Sequence, residues 1–211
     1  AMGDNPLGPF EFKGIIMDES PTGCWTNHHS IVEYHDQWYL FYHHNDYSSA
    51  FDKNRAARID YLFFNADGTI QEVTPTLRGV GITAATETIH PDRYSAISEK
   101  GASIAFVEQN PFEGWKTLLS EDGAWVRYNR VDFSEGDQQR VKARISSTSG
   151  SRVHLQFNHP DRRVIAEINV TAATGWQEII LPVKNVPKGI HDIELSLIGG
   201  GVVEIDWIRF E

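Results

Sequence analysis

Trp125-Val126-Arg127-Tyr128, Val141-Lys142-Ala143-Arg144-Ile145, Val153-His154-Leu155-Gln156-Phe157 and Val164-Ile165-Ala166-Glu167-Ile168 follow one another at short intervals. Each alternates apolar and polar side chains with period two, the signature of a strand with one buried face. Outward toward the C-terminus the pattern continues at Glu178 to Val183, Ile193 to Leu197 and Val202 to Phe210, with Gly, Pro, Asn or Ser in the gaps. Strands that recur about every ten residues, with no convincing helix among them, predict a β-sandwich.

Outward toward the N-terminus the texture changes between Thr76 and Ile82. From Asn5 to about Gly79 the chain is dense in aromatics, and five of the nine histidines lie between His28 and His44. Ser30-Ile31-Val32-Glu33-Tyr34 and Trp38-Tyr39-Leu40-Phe41-Tyr42-His43 flank His35-Asp36-Gln37 and predict a hairpin. The run Arg58 to Phe64 ends in Asn65-Ala66-Asp67-Gly68, across which Thr69 to Val73 is expected to pair back as a fourth strand. A small sheet of that kind has two wide faces and must pack on something. The expected organisation is all-β: residues 1–3 a cloning scar, since an alanine precedes Met2, then 4–79, then a sandwich over 80–211.

Composition narrows the function classes. Of 211 residues 40% are hydrophobic and 23% charged, values of a folding globular chain, and no apolar run approaches the roughly 18 residues that cross a bilayer. A soluble protein without a membrane partner is expected. The net charge of -10 repels phosphate backbones and argues against nucleic acid, so neutral ligands fit better. The lone cysteine, Cys24, excludes an intrachain disulfide and reads as a small hydrophobe rather than a catalytic thiol.

Thr26-Asn27-His28-His29-Ser30 and Tyr42-His43-His44-Asn45-Asp46 form the densest group of chemically versatile side chains. Imidazoles at two strand ends can converge on a metal ion. Adjacent strand residues point to opposite faces, however, so one histidine of each pair at most reaches a shared site. The alternative is that they pack in the sheet or titrate at its surface.

Gly8-Pro-Phe-Glu, Asn27-His-His-Ser-Ile-Val-Glu-Tyr, Gln37-Trp-Tyr-Leu-Phe-Tyr-His and Asp67-Gly-Thr-Ile-Gln resemble, in order and spacing, the closing blade of glycoside hydrolase family 43 over residues 6–80. The resemblance implies the remnant last blade of a five-bladed β-propeller from an enzyme of the β-xylosidase or α-L-arabinofuranosidase type, secreted or periplasmic. It makes His28 the candidate for the propeller axis or a metal, with His29 as its rival. The family hydrolyses with inversion, which needs an acid and a base about 6.5–9.5 Å apart across the sugar. By that resemblance those carboxylates belong to earlier blades, and Asp18, Glu19, Glu33 and Asp46 match none of them.

Gly123-Ala-Trp-Val-Arg-Tyr, Val131-Asp-Phe, Gly175-Trp-Gln, Gly189-Ile-His-Asp-Ile and Glu204-Ile-Asp-Trp-Ile-Arg-Phe resemble a family 6 carbohydrate-binding module over residues 80–211. This implies a jelly roll that binds xylan, cellulose or another β-glycan, usually between paired aromatic rings at the loop end of the sandwich, because the apolar C–H face of a pyranose stacks on an aromatic while its hydroxyls need hydrogen bonds. By resemblance Trp176 is one stacking ring; a tryptophan buried between the sheets is the alternative. The opposing tyrosine position is occupied by Leu118 or Leu119, and Trp115 is the candidate to supply the second ring instead. Glu204 stands where the family often carries a sugar-binding Asn. Trp125 and Trp207 lie inside strong strand patterns and are expected in the core. Calcium, the family's structural ion, keeps only Asp206 and Glu87 of its usual ligands, so no cofactor is firmly implied.

The function expected is a non-catalytic carbohydrate-binding piece of a plant-cell-wall glycosidase whose partner is a polysaccharide or oligosaccharide. Dimerisation through the exposed blade is a further expectation. Two alternatives remain: a truncated glycosidase with residual or rebuilt activity on xylosides, arabinosides or glucosides, and a purely structural accessory domain.

Overall fold

The computed structural model describes residues 1–18, 27–48, 55–110, 112–158 and 163–211. Cys24, Thr26 and Glu19 lie outside the described residues. The chain divides into two compact units, Ala1–Val80 and Gly81–Glu211, and no helix among the described residues is long and apolar enough to cross a membrane.

The first unit is built on an antiparallel sheet of three strands in sequence order, β1 (Ser30–Tyr34), β2 (Gln37–His44) and β3 (Ala56–Leu62). Residues His35 and Asp36 form the two-residue turn between β1 and β2, both at positive φ, 49° and 59°. Two consecutive left-handed residues match the right-handed strand twist and pin the register Tyr34 to Gln37. That register fixes which face each side chain takes. Leu40, Tyr42 and Leu62 fall on one face and, with Val73, form a small buried core against which Ile16, Met17, Ile31, Trp38 and Ile70 pack. Val32, Tyr34, Phe41 and Phe63 stay exposed, and the Tyr39 and Tyr61 rings pair across the strands at 5.6 Å. The expected fourth strand does not form. Residues 69–73 make one isolated bridge, Phe64 to Ile70. The Asp67 carboxylate accepts from the Thr69 amide and hydroxyl at 3.0 and 2.6 Å, which tightens the turn, and the Val73 amide then donates to the Ile16 carbonyl. Met2 at the start of the chain pairs with Glu11 through both backbone groups.

The second unit is a sandwich of two sheets. Its strands are β4 (Thr83–Ala84), β5 (Ala96–Ile97), β6 (Ala102–Phe106), β7 (Trp115–Leu119), β8 (Trp125–Asp132), β9 (Arg140–Ser146), β10 (Ser151–Phe157), β11 (Val164–Val170), β12 (Gln177–Pro182), β13 (Ile190–Ile198) and β14 (Val203–Phe210). One sheet runs β11-β10-β13-β8-β4, with β5 also pairing β8; the other runs β12-β9-β14-β7-β6. From β7 onward the chain crosses between the sheets at every connection except the β10–β11 hairpin, as in a jelly roll. Period two delivers the core: Val141, Ala143 and Ile145 of β9, Ile205, Ile208 and Phe210 of β14, and Ile193, Leu195 and Leu197 of β13 are all buried. Phe133 is fully buried and meets Phe157 and Phe210 edge-on at 5.3 and 4.9 Å.

Two expectations are corrected here. Trp125 and Trp207 are half-buried and face away from the core. Alternation identifies two faces without saying which one is inside; Val126 and Ile208, next to the tryptophans, take the interior positions. Strands β6 and β7 were not marked by the alternating pattern at all, because Ala-Ser-Ile-Ala-Phe and Trp-Lys-Thr-Leu-Leu are five residues each and mix apolar side chains on both faces.

Candidate functional site

On the five-stranded sheet, burial assigns Lys142 and Arg144 of β9, Glu204 and Trp207 of β14 and Lys116 and Leu118 of β7 to the outer face. Gly175, at φ 94°, carries the chain into β12 in a conformation that a side chain would strain. Trp176 follows and lays its half-buried indole on this face. The Arg144 guanidinium sits 4.6 Å from the ring centroid and Lys116 Nζ 5.8 Å from it. Lys116 also reaches Glu204 Oε1 at 2.7 Å, so it links the indole to that carboxylate. Arg144 donates to Asp206, and a bulge in β14 between Ile205 and Trp207 sets Trp207 opposite Arg144. Lys142 continues the row: its Nζ lies 5.7 Å from the Trp207 ring and 2.6 Å from Glu178. The arrangement is a half-exposed indole ringed by hydrogen-bond donors and acceptors, which can stack a sugar and engage its hydroxyls.

The structure therefore brings Trp176 and Glu204 into one cluster but leaves Trp115 out of it. Trp115 shares the face of Thr117 and Leu119, both fully buried, and its ring packs on Phe106 at 4.2 Å. Strand parity, which places neighbours on opposite faces, is the reason: Lys116 has the outward position next to it. The same rule separates the two leucines, Leu118 outward and Leu119 in the core.

A second polar face went unrecognised in the sequence. On the six-stranded sheet Glu194 of β13 lies in register with Arg127 of β8 and Gln156 of β10. Arg127 Nη2 donates to Glu194 at 2.9 Å and Gln156 Nε2 at 2.8 Å, with the carboxylate only 3% exposed. The Arg127 guanidinium lies 4.7 Å from the Trp125 ring centroid. On the same sheet His154 pairs with Glu167 at 3.0 Å, which holds that carboxyl below its ordinary range. The available signal was polar residues at the outward positions of three adjacent strands.

The family model of the family 6 carbohydrate-binding module matches residues 98–211, more than half of the chain. The chain belongs to this family. The module's solved relatives agree on the fold: a family 6 module from Clostridium stercorarium, in complex with cellobiose, superposes with a TM-score of 0.54 at 22% identity, covering 62% of this chain and 97% of that one. A glycoside hydrolase family 43 arabinoxylan arabinofuranohydrolase from Bacillus subtilis, in complex with cellotetraose, matches 99% of this chain and 46% of its own with a TM-score of 0.61 and 23% identity. In sequence the Bacillus subtilis (strain 168) arabinoxylan arabinofuranohydrolase is 25% identical over 223 residues, 98% of this chain and 43% of the relative. The chain thus spans less than half the length of that relative and resembles the C-terminal part of a family 43 enzyme followed by the module.

The module's residues do not suit calcium at Asp206. Its carboxylate accepts from the Arg144 guanidinium and lies 3.9 Å from the His90 ring, nitrogen neighbours where a hard cation needs several oxygens. Among the described residues no group of three or more His, Cys, Asp or Glu could hold a metal ion. In the first unit His28 and His29 are both exposed. The His28 amide donates to His43 Nε2 at 3.1 Å and the two rings stack at 5.8 Å, while His44 turns to the other face and approaches Asp46 at 3.6 Å. Burial, with Arg55, His28 and His44 adding to it, lowers the His43 pKa below the usual histidine value. His29 lines a separate cavity of about 390 Å³ with Ile16, Ile31 and Ile70.

Proposed function

We propose that the module holds a xylan or other β-glycan chain on the outer face of its five-stranded sheet, with Trp176 as the stacking platform and Lys116 and Glu204 as hydroxyl partners. The observation that carries this reading is the half-exposed Trp176 indole held beside a Lys116–Glu204 pair at 2.7 Å. An aromatic face with a few placed polar groups suits a pyranose, whose C–H face is apolar and whose rim is hydroxylated. The complexes of the similar proteins with cellobiose and cellotetraose support the ligand class. Titration calorimetry with xylo- and cello-oligosaccharides tests it: heat of binding that disappears in Trp176→Ala is the expected result, and absence of heat with every ligand would favour a purely structural role.

Residues 4–79 are proposed as the closing blade of a family 43 propeller, with His28 toward the axis, and the chain as non-catalytic by itself. The two acids Asp60 and Asp46, both largely buried, support this, because each is engaged in structural contacts. Asp60, 6% exposed, accepts from Tyr42 and, at 2.7 Å, from the Thr76 hydroxyl. Burial raises the Asp60 pKa against the lowering effect of those bonds, and Asp46 is held between Arg58 and His44. A chromogenic glycoside panel is expected to show no turnover above a heat-inactivated control. The exposed Val32, Tyr34, Phe41 and Phe63 give this unit a surface for pairing with a second copy. Light scattering during size exclusion checks this, a monomer at high concentration being the contrary result.

A further inference from the structure

We infer that the Trp176 site selects glycan chains bearing a carboxylate substituent, such as a uronic acid branch, and that Arg144, with Lys116, is the specificity-determining group. The inference rests on the proposed sugar-binding role of Trp176 and adds the chemical class of its ligand.

Two cations lie against the indole, Arg144 at 4.6 Å and Lys116 at 5.8 Å from the ring centroid, with Glu178 in register with Arg144 on the neighbouring strand. Each is anchored from behind by one acid, Arg144 by Asp206 and Lys116 by Glu204. Anchoring leaves most donors available. A guanidinium has five N–H donors and an ammonium three, whereas Arg144 gives one, from Nη1, to Asp206. Asp206 therefore acts as a positioning residue that fixes the plane of the guanidinium over the indole. The side chain remains 29% exposed, within reach of a ligand.

A neutral pyranose can use this arrangement but does not require its charges. It would stack on the indole as well beside an amide or a hydroxyl, and the family resemblance points to an Asn where Glu204 now stands. A planar guanidinium held over one face of a stacking ring matches a carboxylate bidentately while the sugar ring takes the other face of the indole. The net charge of -10 opposes polyanions as a whole. It opposes much less a neutral backbone with an occasional carboxylate, because screening at physiological salt limits the unfavourable field to about 8 Å.

The test uses the intact chain and two probes that differ in one group: a xylo-oligosaccharide with a single glucuronic acid branch, and the same compound with that carboxyl reduced to the alcohol. At physiological salt the acid form is expected to bind about tenfold more tightly, with the ratio falling toward one in Arg144→Gln. Lys116→Gln is expected to lower the ratio by a smaller factor. Equal affinities for the two probes, or tighter binding of the reduced one, would overturn the inference and leave the sugar-binding reading intact. An unchanged ratio in Arg144→Gln would overturn the role assigned to Arg144. Failure of both probes to bind would remove the inference together with the reading it rests on. Thermal unfolding of each variant shows whether a lost ratio reflects lost folding.

Discussion

The outer faces of the two sandwich sheets use the same parts differently. Each sets a tryptophan beside an arginine and gives that arginine a carboxylate: Trp125, Arg127 and Glu194 on one, Trp176, Arg144 and Asp206 on the other. On the six-stranded sheet all the groups are strand residues in register, and Glu194 is closed in by Arg127, Gln156 and Ser196. On the five-stranded sheet the indole comes from the loop before β12, and Lys116 and Glu204 retain 12% and 30% of their side-chain surface. A carboxylate enclosed by three donors inside a sheet contributes to folding. One that is partly met at the edge of a loop keeps capacity for a ligand. That contrast is why Trp176, and not Trp125, is assigned the sugar.

The largest effect that would break the contrast is on stability. Glu194→Ala leaves Arg127 and Gln156 without their shared acceptor in a mostly buried position, and is expected to cost about 2–3 kcal/mol in urea unfolding. Glu204→Ala removes a partly exposed ion pair and should cost under about 1 kcal/mol. Equal losses would mean that both faces are built for folding. Binding sharpens the comparison next: Trp176→Ala should weaken oligosaccharide affinity at least about tenfold, ~1.4 kcal/mol, and Trp125→Ala by less than about threefold. Calorimetry with a reversed order would move the site to the six-stranded sheet. A gain is also expected. Leu118 points outward on the strand that carries Lys116, so Leu118→Tyr adds a second ring to the face and should raise affinity severalfold if the sugar lies there.

Much of the fold was legible because period-two alternation is a direct consequence of strand geometry. It marked β8 to β14 and the core positions Val141, Ala143 and Ile145. It failed where a strand is too short to alternate, as in β6 and β7, and where the choice between two faces depends on the opposite sheet. Trp125 shows the second failure: nothing local says that Val126 goes inward. Trp176 and Glu204 were legible only through resemblance. Their grouping with Lys116 and Arg144 depends on strand order, β12 next to β9 and β14 next to β7, which a sequence does not display. The Glu194 cluster was hidden for the same reason, since Arg127, Gln156 and Glu194 meet through pairing between strands far apart in the chain.

The smallest effect concerns pH and again separates the two faces. On the five-stranded side Asp206 faces His90 as well as Arg144. Burial, reinforced by Arg93, lowers the His90 pKa below the usual histidine value despite the opposing pull of Asp206. The unfolded chain therefore takes up this proton first, near pH 6.5, while folded His90 stays neutral. Over that window the unfolded state binds more protons, so stability falls as pH drops below about 6.5 and levels off once His90 charges in the folded state. With the imidazole a third exposed, the contribution is expected to stay under about 1 kcal/mol. Urea unfolding of His90→Gln at pH 7.5 and 5.5 should show a smaller acid loss than the parent chain. An identical loss in both would mean that His90 titrates as it does in the unfolded chain and that Asp206 is set by Arg144 alone.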